Sequence, residues 1–326
     1  MLTFEAVTES WPIAGRFTIS RGSKTAADVV VVTLERDGIR GRGECVPYAR
    51  YRETVPQVLE ALEQQRKQIA RCQNFADIAA LDLPYAARNA LDCALWDVTA
   101  RQAGRRAWEV AGLSTPKPLT TAYTLSLDTP EAMAAAAKTA ASRPLLKLKL
   151  GGDADSERLA AIREAVPKAR LIVDANEGWT ADIIEDRLAA CQRHGVELVE
   201  QPLPAGNDEV LRGLPRQTLI CADESVHGID TLPGLVGKYD AINIKLDKTG
   251  GLTPALALAR AARDQGLTIM VGCMLATSLA MAPATLVAQF ASYVDLDGPL
   301  LLQKDRGDGL VYDGGLMHPP VAALWG

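Results

Sequence analysis

Two lysines separated by one leucine, Lys147-Leu148-Lys149, lie within the apolar run Leu145 to Leu150. Side chains alternate faces along a strand, so both amines point the same way, about 7 Å apart at ~3.3 Å per residue. Burying two ammonium groups on one face is costly unless anions surround them or an amine must act uncharged. Gly151-Gly152 ends the run. The amines therefore sit at a carboxyl end, where parallel α/β sheets and barrels carry their ligands. Further apolar runs end at matching phase in Asp174, Glu200, Asp223, Lys245 and the pair Asp295/Asp297. From Lys149 to Lys245 the steps between these residues are 22 to 26 residues, one per strand-helix unit.

A single carboxylate at a strand end is ordinarily a structural hydrogen-bond acceptor. Three on consecutive strands repel one another unless a cation lies among them. Asp174, Glu200 and Asp223 are thus candidate ligands of one hard ion, and Mg2+ accepts such oxygen sets while keeping positions for water or substrate. His194, His227 and His318 fall in helices or loops, which disfavours zinc. Lys149 and Lys245 then lie across a barrel mouth with the carboxylate strands between them. An ordinary lysine, with pKa about 10.4, is too basic to be free at neutral pH; Lys147 and the ion are expected to lower it. The chemistry that fits is removal of a proton α to a carboxylate, with return of the proton from the opposite side.

The elements that hold these residues follow a regular alternation. Strand-like runs near 119–126, 145–150, 170–175, 196–200, 219–223, 241–246, 267–273 and 293–297 alternate with helical stretches at 130–142, 155–165, 181–194, 207–213, 230–237, 253–265 and 276–290. This predicts an α/β fold, a (β/α)7β modified TIM barrel over 113–298. Residues 1–112 read as an N-terminal α+β capping domain. It has a meander at 2–10, 28–35 and 39–46 turning at Asp37-Gly38, and a mobile loop at about 14–25. A helix capped by Thr54 runs through Arg71, and a second follows Pro84, with Ala87, Ala90, Leu91, Ala94, Leu95 and Val98 on one face and its end at Gly104. The tail, 299–326, returns to the capping domain.

The chain has 326 residues, 48% of them hydrophobic, with 35 basic and 40 acidic side chains for a net charge of −5. That balance argues against nucleic-acid binding. Six scattered cysteines suit a reducing compartment, and the start, with Glu5 and Glu9, is unlike a signal peptide; a cytoplasmic protein is expected. Thr268 to Val294 carries no formal charge, but its Gly, Pro and polar residues predict a buried strand and helix, not a membrane span. Gly41-Arg-Gly43 lacks the third glycine of a dinucleotide fingerprint, where Val46 stands.

Taken in order, Lys147-Leu-Lys149, Asp174-Ala-Asn176, Glu200-Gln-Pro202, Ala222-Asp223-Glu224, Asn243-Ile-Lys245 and Gly250-Gly251 resemble the enolase superfamily, in its muconate-lactonizing branch. Ala90-Leu-Asp-Cys-Ala-Leu-Trp-Asp97 extends the resemblance to the N-terminal unit. Within that branch the chain looks most like the dipeptide epimerases, on Val294-Asp-Leu-Asp-Gly-Pro299, where Asp295 and Asp297 face the same way. The resemblance implies one Mg2+ per site on Asp174, Glu200 and Asp223, with Lys149 and Lys245 as the two bases and Lys147 steadying an enediolate. It also implies that Asp295 and Asp297 bind a dipeptide α-amine, that Thr124 contacts substrate, and that Asn176 and Glu224 orient the metal ligands. Ser20-Arg-Gly-Ser-Lys-Thr25 resembles the capping loop, with Lys24 or Arg21 at the side-chain carboxylate of the substrate.

The activity implied is 1,1-proton transfer on dipeptides, L-Ala-D-Glu to L-Ala-L-Glu and related pairs, in murein-peptide recycling, with a homo-oligomer possible in this superfamily. The alternatives are N-acylamino acid racemisation, o-succinylbenzoate synthesis or cycloisomerisation on the same site, a Schiff-base lyase barrel, or a binding barrel without turnover. The first three need no ammonium-binding aspartates.

Overall fold

The computed structural model describes residues 1–326. The N-terminal unit carries an antiparallel sheet, β1 (Thr3–Ile19), β2 (Gly22–Arg36) and β3 (Ile39–Cys45), in that order. Asp37 and Gly38 turn with φ of 54° and 77°, the positive pair that a two-residue hairpin turn requires. Residues 14–25, expected as a loop, are instead the paired end of the β1–β2 hairpin: Phe17 faces Lys24, Thr18 faces Ser23 and Ile19 faces Gly22. The register shifts between Pro12 and Phe17. A bulge of this kind bends and twists a hairpin without ending it, so the turn-forming residues mark a bend.

Thr54 caps the helix Val55–Gln64, accepting from Gln57 N at 3.4 Å. That helix breaks at Gln65 and resumes as Arg66–Ile69, short of the expected Arg71. The break turns Ile69 into the core and lets Arg66 reach the Phe4 carbonyl at 3.2 Å. The helix Tyr85–Ala103 ends at Gly104 in the left-handed conformation. Its predicted apolar face is buried, and so is the opposite face, because sheet and barrel enclose it. A Cβ at Gly43 would stand 2.1 Å from the Ala90 carbonyl oxygen, and one at Gly41 2.4 Å from Val98 N. Gly41 and Gly43 therefore serve close packing. On the barrel side, Asp92 accepts from Thr253 N and Oγ1 at 2.9 and 2.6 Å, holding the start of the helix Leu252–Asp264.

β4 (Leu119–Thr120) precedes eight strands that pair in sequence order: β5 (Tyr123–Leu125), β6 (Leu145–Lys149), β7 (Arg170–Asp174), β8 (Val196–Glu200), β9 (Leu219–Ala222), β10 (Ala241–Ile244), β11 (Thr268–Gly272) and β12 (Tyr293–Asp295). Every pairing among them is parallel. The two ends of the sheet meet through Ala122 N to Val294 O at 2.8 Å and Leu296 N to Thr121 Oγ1 at 2.9 Å. The architecture is the predicted one: an eight-stranded α/β barrel beside a separate N-terminal unit.

Details depart from the pattern. The run 119–126 splits, and β4 pairs with β14 (Leu316–Met317), itself paired to β13 (Tyr312–Asp313). The stretches 207–213 and 230–237 form 3-10 turns, Glu209–Gly213 and Ile229–Gly234; Pro233 removes a helical donor in the second. A short helix, Leu246–Thr249, follows β10 directly. Thr268 to Val294 becomes β11 and the buried helix Ser278–Ala288, and no helix of the protein is long and apolar enough to cross a membrane. Near the C-terminus, Trp325 Nε1 donates to Cys93 O at 3.0 Å and Gly326 N to Asp97 at 2.8 Å.

The barrel interior is layered. Leu145, Ile172, Leu198, Cys221, Ala241 and Met270 form an apolar plug. Two residues further along each strand the same inward phase brings Lys147, Asp174, Glu200, Asp223, Asn243 and Gly272. Lys149 and Lys245 stand one step higher. The polar ring rests on a dry floor.

Candidate active site

Register sets the ring. Lys149 lies beside Asp174, and Asp174 beside Glu200, as directly paired positions of β6, β7 and β8. Asp223 and Lys245 follow the last paired residues of β9 and β10. Every member is buried, Asp174 and Glu200 completely. Lys149 Nζ lies 2.6 Å from Asp174 Oδ2, and Lys245 Nζ 2.6 Å from Asp223 Oδ2. Lys147 Nζ reaches Glu200 Oε2 and Asp295 Oδ2 at 2.6 Å each, and Asp174 Oδ2 at 3.3 Å. The structure thus brings together the three acids, the three lysines and Asp295.

The acids turn toward these amines, and no three acid, histidine or cysteine side chains stand at metal-ligating spacing. The donor set nevertheless fits a hard cation. It is all oxygen on three adjacent strands, and Glu200 Oε2, although close to Lys147, lies off the direction of any donor and accepts no hydrogen bond. Three buried carboxylates on adjacent strands repel one another, and a divalent cation among them, beside the Lys147 ammonium 2.6 Å from Glu200 Oε2, would relieve that repulsion.

The charge balance differs from the expected one. Burial alone would lower Lys245, but Asp223 and Glu200 outweigh it and hold the amine well above the ordinary lysine value. Lys147 is likewise held high, against burial, by Asp295, Glu200 and Asp174. The expectation that a neighbouring ammonium would depress Lys245 is therefore reversed in the protein alone, because the carboxylates are nearer than the other amines. Burial raises Asp174, but Lys149 and Lys147 bring it down to about 2. Glu200 goes up, through burial and Asp174.

A cavity of about 510 Å³ lies between the β1–β2 hairpin and the barrel mouth. Lys149, Lys245, Asp223 and Asn176 line its barrel side, and Arg21, Lys24, Tyr48 and Tyr51 its other side. Lys147, Thr124, Asp295 and Asp297 do not reach it; Thr124 borders a second cavity, beside the helix Pro130–Thr139. Asp297 accepts from Thr124 N at 2.6 Å, and Thr124 Oγ1 donates to Asp295 at 3.4 Å. Burial and Asp295 raise Asp297 to about 7.

Arg21 and Lys24 take different places. Arg21 is spent on the barrel, donating to Glu224 at 2.7 Å, Asn176 O at 2.8 Å and Glu177 at 3.1 Å. Lys24 is exposed, with Nζ 5.5 Å from the centre of the Tyr48 ring. Glu224 rises to about 7 through burial, Asp223 and Asp174. Asn176 donates to both oxygens of Asp174, from N at 2.8 Å and Nδ2 at 3.1 Å, and its φ of 47° turns the backbone back toward that acid. Two residues escape a strand-end reading: Asn243, whose Nδ2 donates to Glu200 Oε1 at 2.7 Å, and Lys248, whose Nζ lies 2.5 Å from Asp223 Oδ1. The inward phase of Asn243, two before Lys245 in the motif Asn243-Ile-Lys245, is the sequence signal for its place in the ring.

A (β/α) barrel with lysines and carboxylates at the ends of successive strands, beside an α+β unit, is a catalytic architecture of a definite class. Residues 131–323 match the enolase C-terminal domain-like family, and residues 1–112 match the N-terminal domain of the mandelate racemase / muconate lactonizing enzyme family. The chain belongs to the enolase superfamily.

Its relatives narrow the class. It is 44% identical over 320 residues to L-Ala-D/L-Glu epimerase of Escherichia coli (strain K12), covering 98% of this chain and all of that one. It is also 44% identical to N-acetyl-D-glutamate racemase of Pseudoalteromonas sp, over 91% of this chain and 95% of that one. In structure it superposes, with a TM-score of 0.97, 51% identity and complete coverage of both chains, on an Agrobacterium tumefaciens enolase family member with homology to dipeptide epimerases, solved with bound sodium and L-Ala-L-Glu. A Cytophaga hutchinsonii dipeptide epimerase complexed with Mg and D-Ala-L-Val gives 0.93 at 28% identity, over 98% of this chain and 94% of that one.

Proposed function

We propose that this chain is a Mg2+-dependent dipeptide epimerase acting on L-Ala-D-Glu, L-Ala-L-Glu and related dipeptides, in the cytoplasm and in murein-peptide recycling. The observation that carries the reading is one cavity lined by two amines, Lys149 and Lys245, whose strands are separated by those of three buried acids. Residues 1–112 act as the cap, 113–298 as the catalytic barrel, and 299–326 as the tail returning to the cap.

Asp174, Glu200 and Asp223 would hold the ion. When bound, Mg2+ supplies positive charge that acidifies the carbon next to a carboxylate and offsets the acids that keep Lys245 protonated. Lys149 and Lys245 exchange the α-proton, one amine removing it while the other, still an ammonium, delivers a proton to the opposite face. Lys147 holds a fixed positive charge below the site, where negative charge develops on the substrate carboxylate. Asp295 and Asp297 receive the substrate ammonium, with Thr124 fixing their orientation. Lys24, which lines the cavity without an ion pair, meets a substrate side-chain carboxylate, and Asn176 and Glu224 steady the acids and the hairpin tip.

The test is α-deuterium incorporation from D2O into L-Ala-L-Glu, followed by mass spectrometry and chiral analysis, with Mg2+ and with EDTA. Exchange with inversion, lost in EDTA and restored by Mg2+, is expected. EDTA-insensitive turnover with borohydride trapping of a lysine adduct would instead assign a Schiff-base lyase. The Pseudoalteromonas relative motivates a second reading, N-acyl amino acid racemisation, so N-acetyl-glutamate belongs in the same assay. The buried Asp297 favours the free amine: Asp295 already faces the Lys147 ammonium at 2.6 Å, whereas Asp297 gains a cationic partner only from a substrate ammonium.

A further inference from the structure

The three candidate acids share a feature that their strand positions alone do not require. Each has one oxygen held from behind by a donor that is neither Lys149 nor Lys245. Asp174 Oδ1 accepts from the backbone N of Asn176 at 2.8 Å. Glu200 Oε1 accepts from Asn243 Nδ2 at 2.7 Å. Asp223 Oδ1 takes Lys248 Nζ at 2.5 Å, and the same amine also donates to the carbonyls of Asp223 and Asn243, the latter at 3.0 Å. The second oxygens are treated differently. Asp174 Oδ2 faces Lys149 and also accepts from Asn176 Nδ2 at 3.1 Å, Asp223 Oδ2 faces Lys245, and Glu200 Oε2 faces Lys147 without a true hydrogen bond.

The anchors are themselves built in. Asn243 and Lys248 are fully or almost fully buried, at 0% and 1% exposure. Room for the Asn243 amide comes from Gly272 on the adjoining strand, where a Cβ would stand 2.7 Å from Asn243 Oδ1. The short helix Leu246–Thr249 places Lys248 beneath Asp223. A donor behind one oxygen leaves that oxygen a lone pair but fixes the rotation of the carboxylate, which hinders both oxygens from turning equally toward one cation.

We infer that Asn243 and Lys248, with the backbone N–H of Asn176, are positioning groups that make all three acids one-oxygen ligands and so tune the site to a small cation over a large one. This rests on the Mg2+ reading above. Mg2+ demands near-octahedral geometry with one oxygen per carboxylate, whereas Ca2+ is larger, more flexible and accepts two. Freeing the far oxygen lets the carboxylate swing to two-oxygen contact and removes the penalty on the larger ion.

The experiment is calorimetric titration of the full chain with MgCl2 and, separately, CaCl2. Wild type is compared with Asn243→Leu, which keeps the side-chain shape without the donor, and with Lys248→Met. Thermal unfolding without added metal checks that each variant folds. For Asn243→Leu, Mg2+ affinity should fall about 10- to 100-fold, with a smaller loss for Ca2+. Lys248→Met also removes a positive charge, which favours both ions alike, so there the narrowing of the Mg2+/Ca2+ preference is the readout. A folded Asn243→Leu with wild-type affinity and preference overturns the inference and leaves the Mg2+ reading standing. Wild type that binds neither ion overturns both.

Discussion

Asp297→Asn should make the protein more stable and a poorer enzyme, and the gain in stability should grow with pH. Asp297 is buried, and burial together with Asp295 raises it from the ordinary 3.8 to about 7. A carboxyl raised in the folded state contributes its stability below its unfolded pKa and loses it as pH rises through the folded pKa. The native state therefore carries a penalty that begins near pH 4 and is complete above about pH 7, with a ceiling of roughly 4 kcal/mol at 1.36 kcal/mol per pH unit. Between about pH 5.5 and pH 8 the penalty grows by about 2 kcal/mol on that scale. Asparagine avoids it, and its side-chain oxygen can still accept from Thr124 N, as the carboxylate does at 2.6 Å. Urea unfolding of both proteins at the two pH values measures the difference. A stability gap that stays constant or shrinks with pH would refute the reasoning. In parallel, KM for L-Ala-L-Glu should rise at least tenfold in the variant, because a neutral amide cannot pair with the substrate ammonium. An unchanged KM would remove Asp297 from substrate binding.

Two further outcomes follow from the geometry. Lys245→Ala should cut epimerisation by roughly 10²- to 10⁴-fold while one-sided α-deuterium exchange persists for one epimer through Lys149; full turnover in that variant would sink the two-base scheme. Arg21→Gln should loosen the hairpin tip, since it weakens the ties to Glu224, Glu177 and Asn176 O. At a cost on the order of 1–3 kcal/mol, amides of residues 17–24 should exchange with deuterium roughly 10- to 100-fold faster, and unchanged protection would show that the hairpin is held by its own pairing.

Strand-end periodicity made the barrel and the acid–lysine ring legible, because inward phase repeats every two residues and each βα unit resets it at a similar length. Asp174, Glu200 and Lys149 occur as paired neighbours because alternation leaves them no other face. Composition misled at residues 14–25, where Gly and charge suggested a free loop but cross-strand pairing continues past a bulge. The break at Gln65 was equally hidden, since the Arg66 that follows it reaches Phe4, 62 residues away.

What the linear order could determine was therefore periodic and local: the alternating elements, the helix caps at Thr54 and Gly104, and the polar layer at the strand ends. Only the tertiary structure decided which cation each acid meets. It spent Arg21 on Glu224 and left Lys24 exposed, put Lys248 beneath Asp223, and reversed the expected depression of Lys245. Electrostatic energy depends on distances of a few ångströms between residues far apart in the chain, and those distances exist only once the sheet has closed.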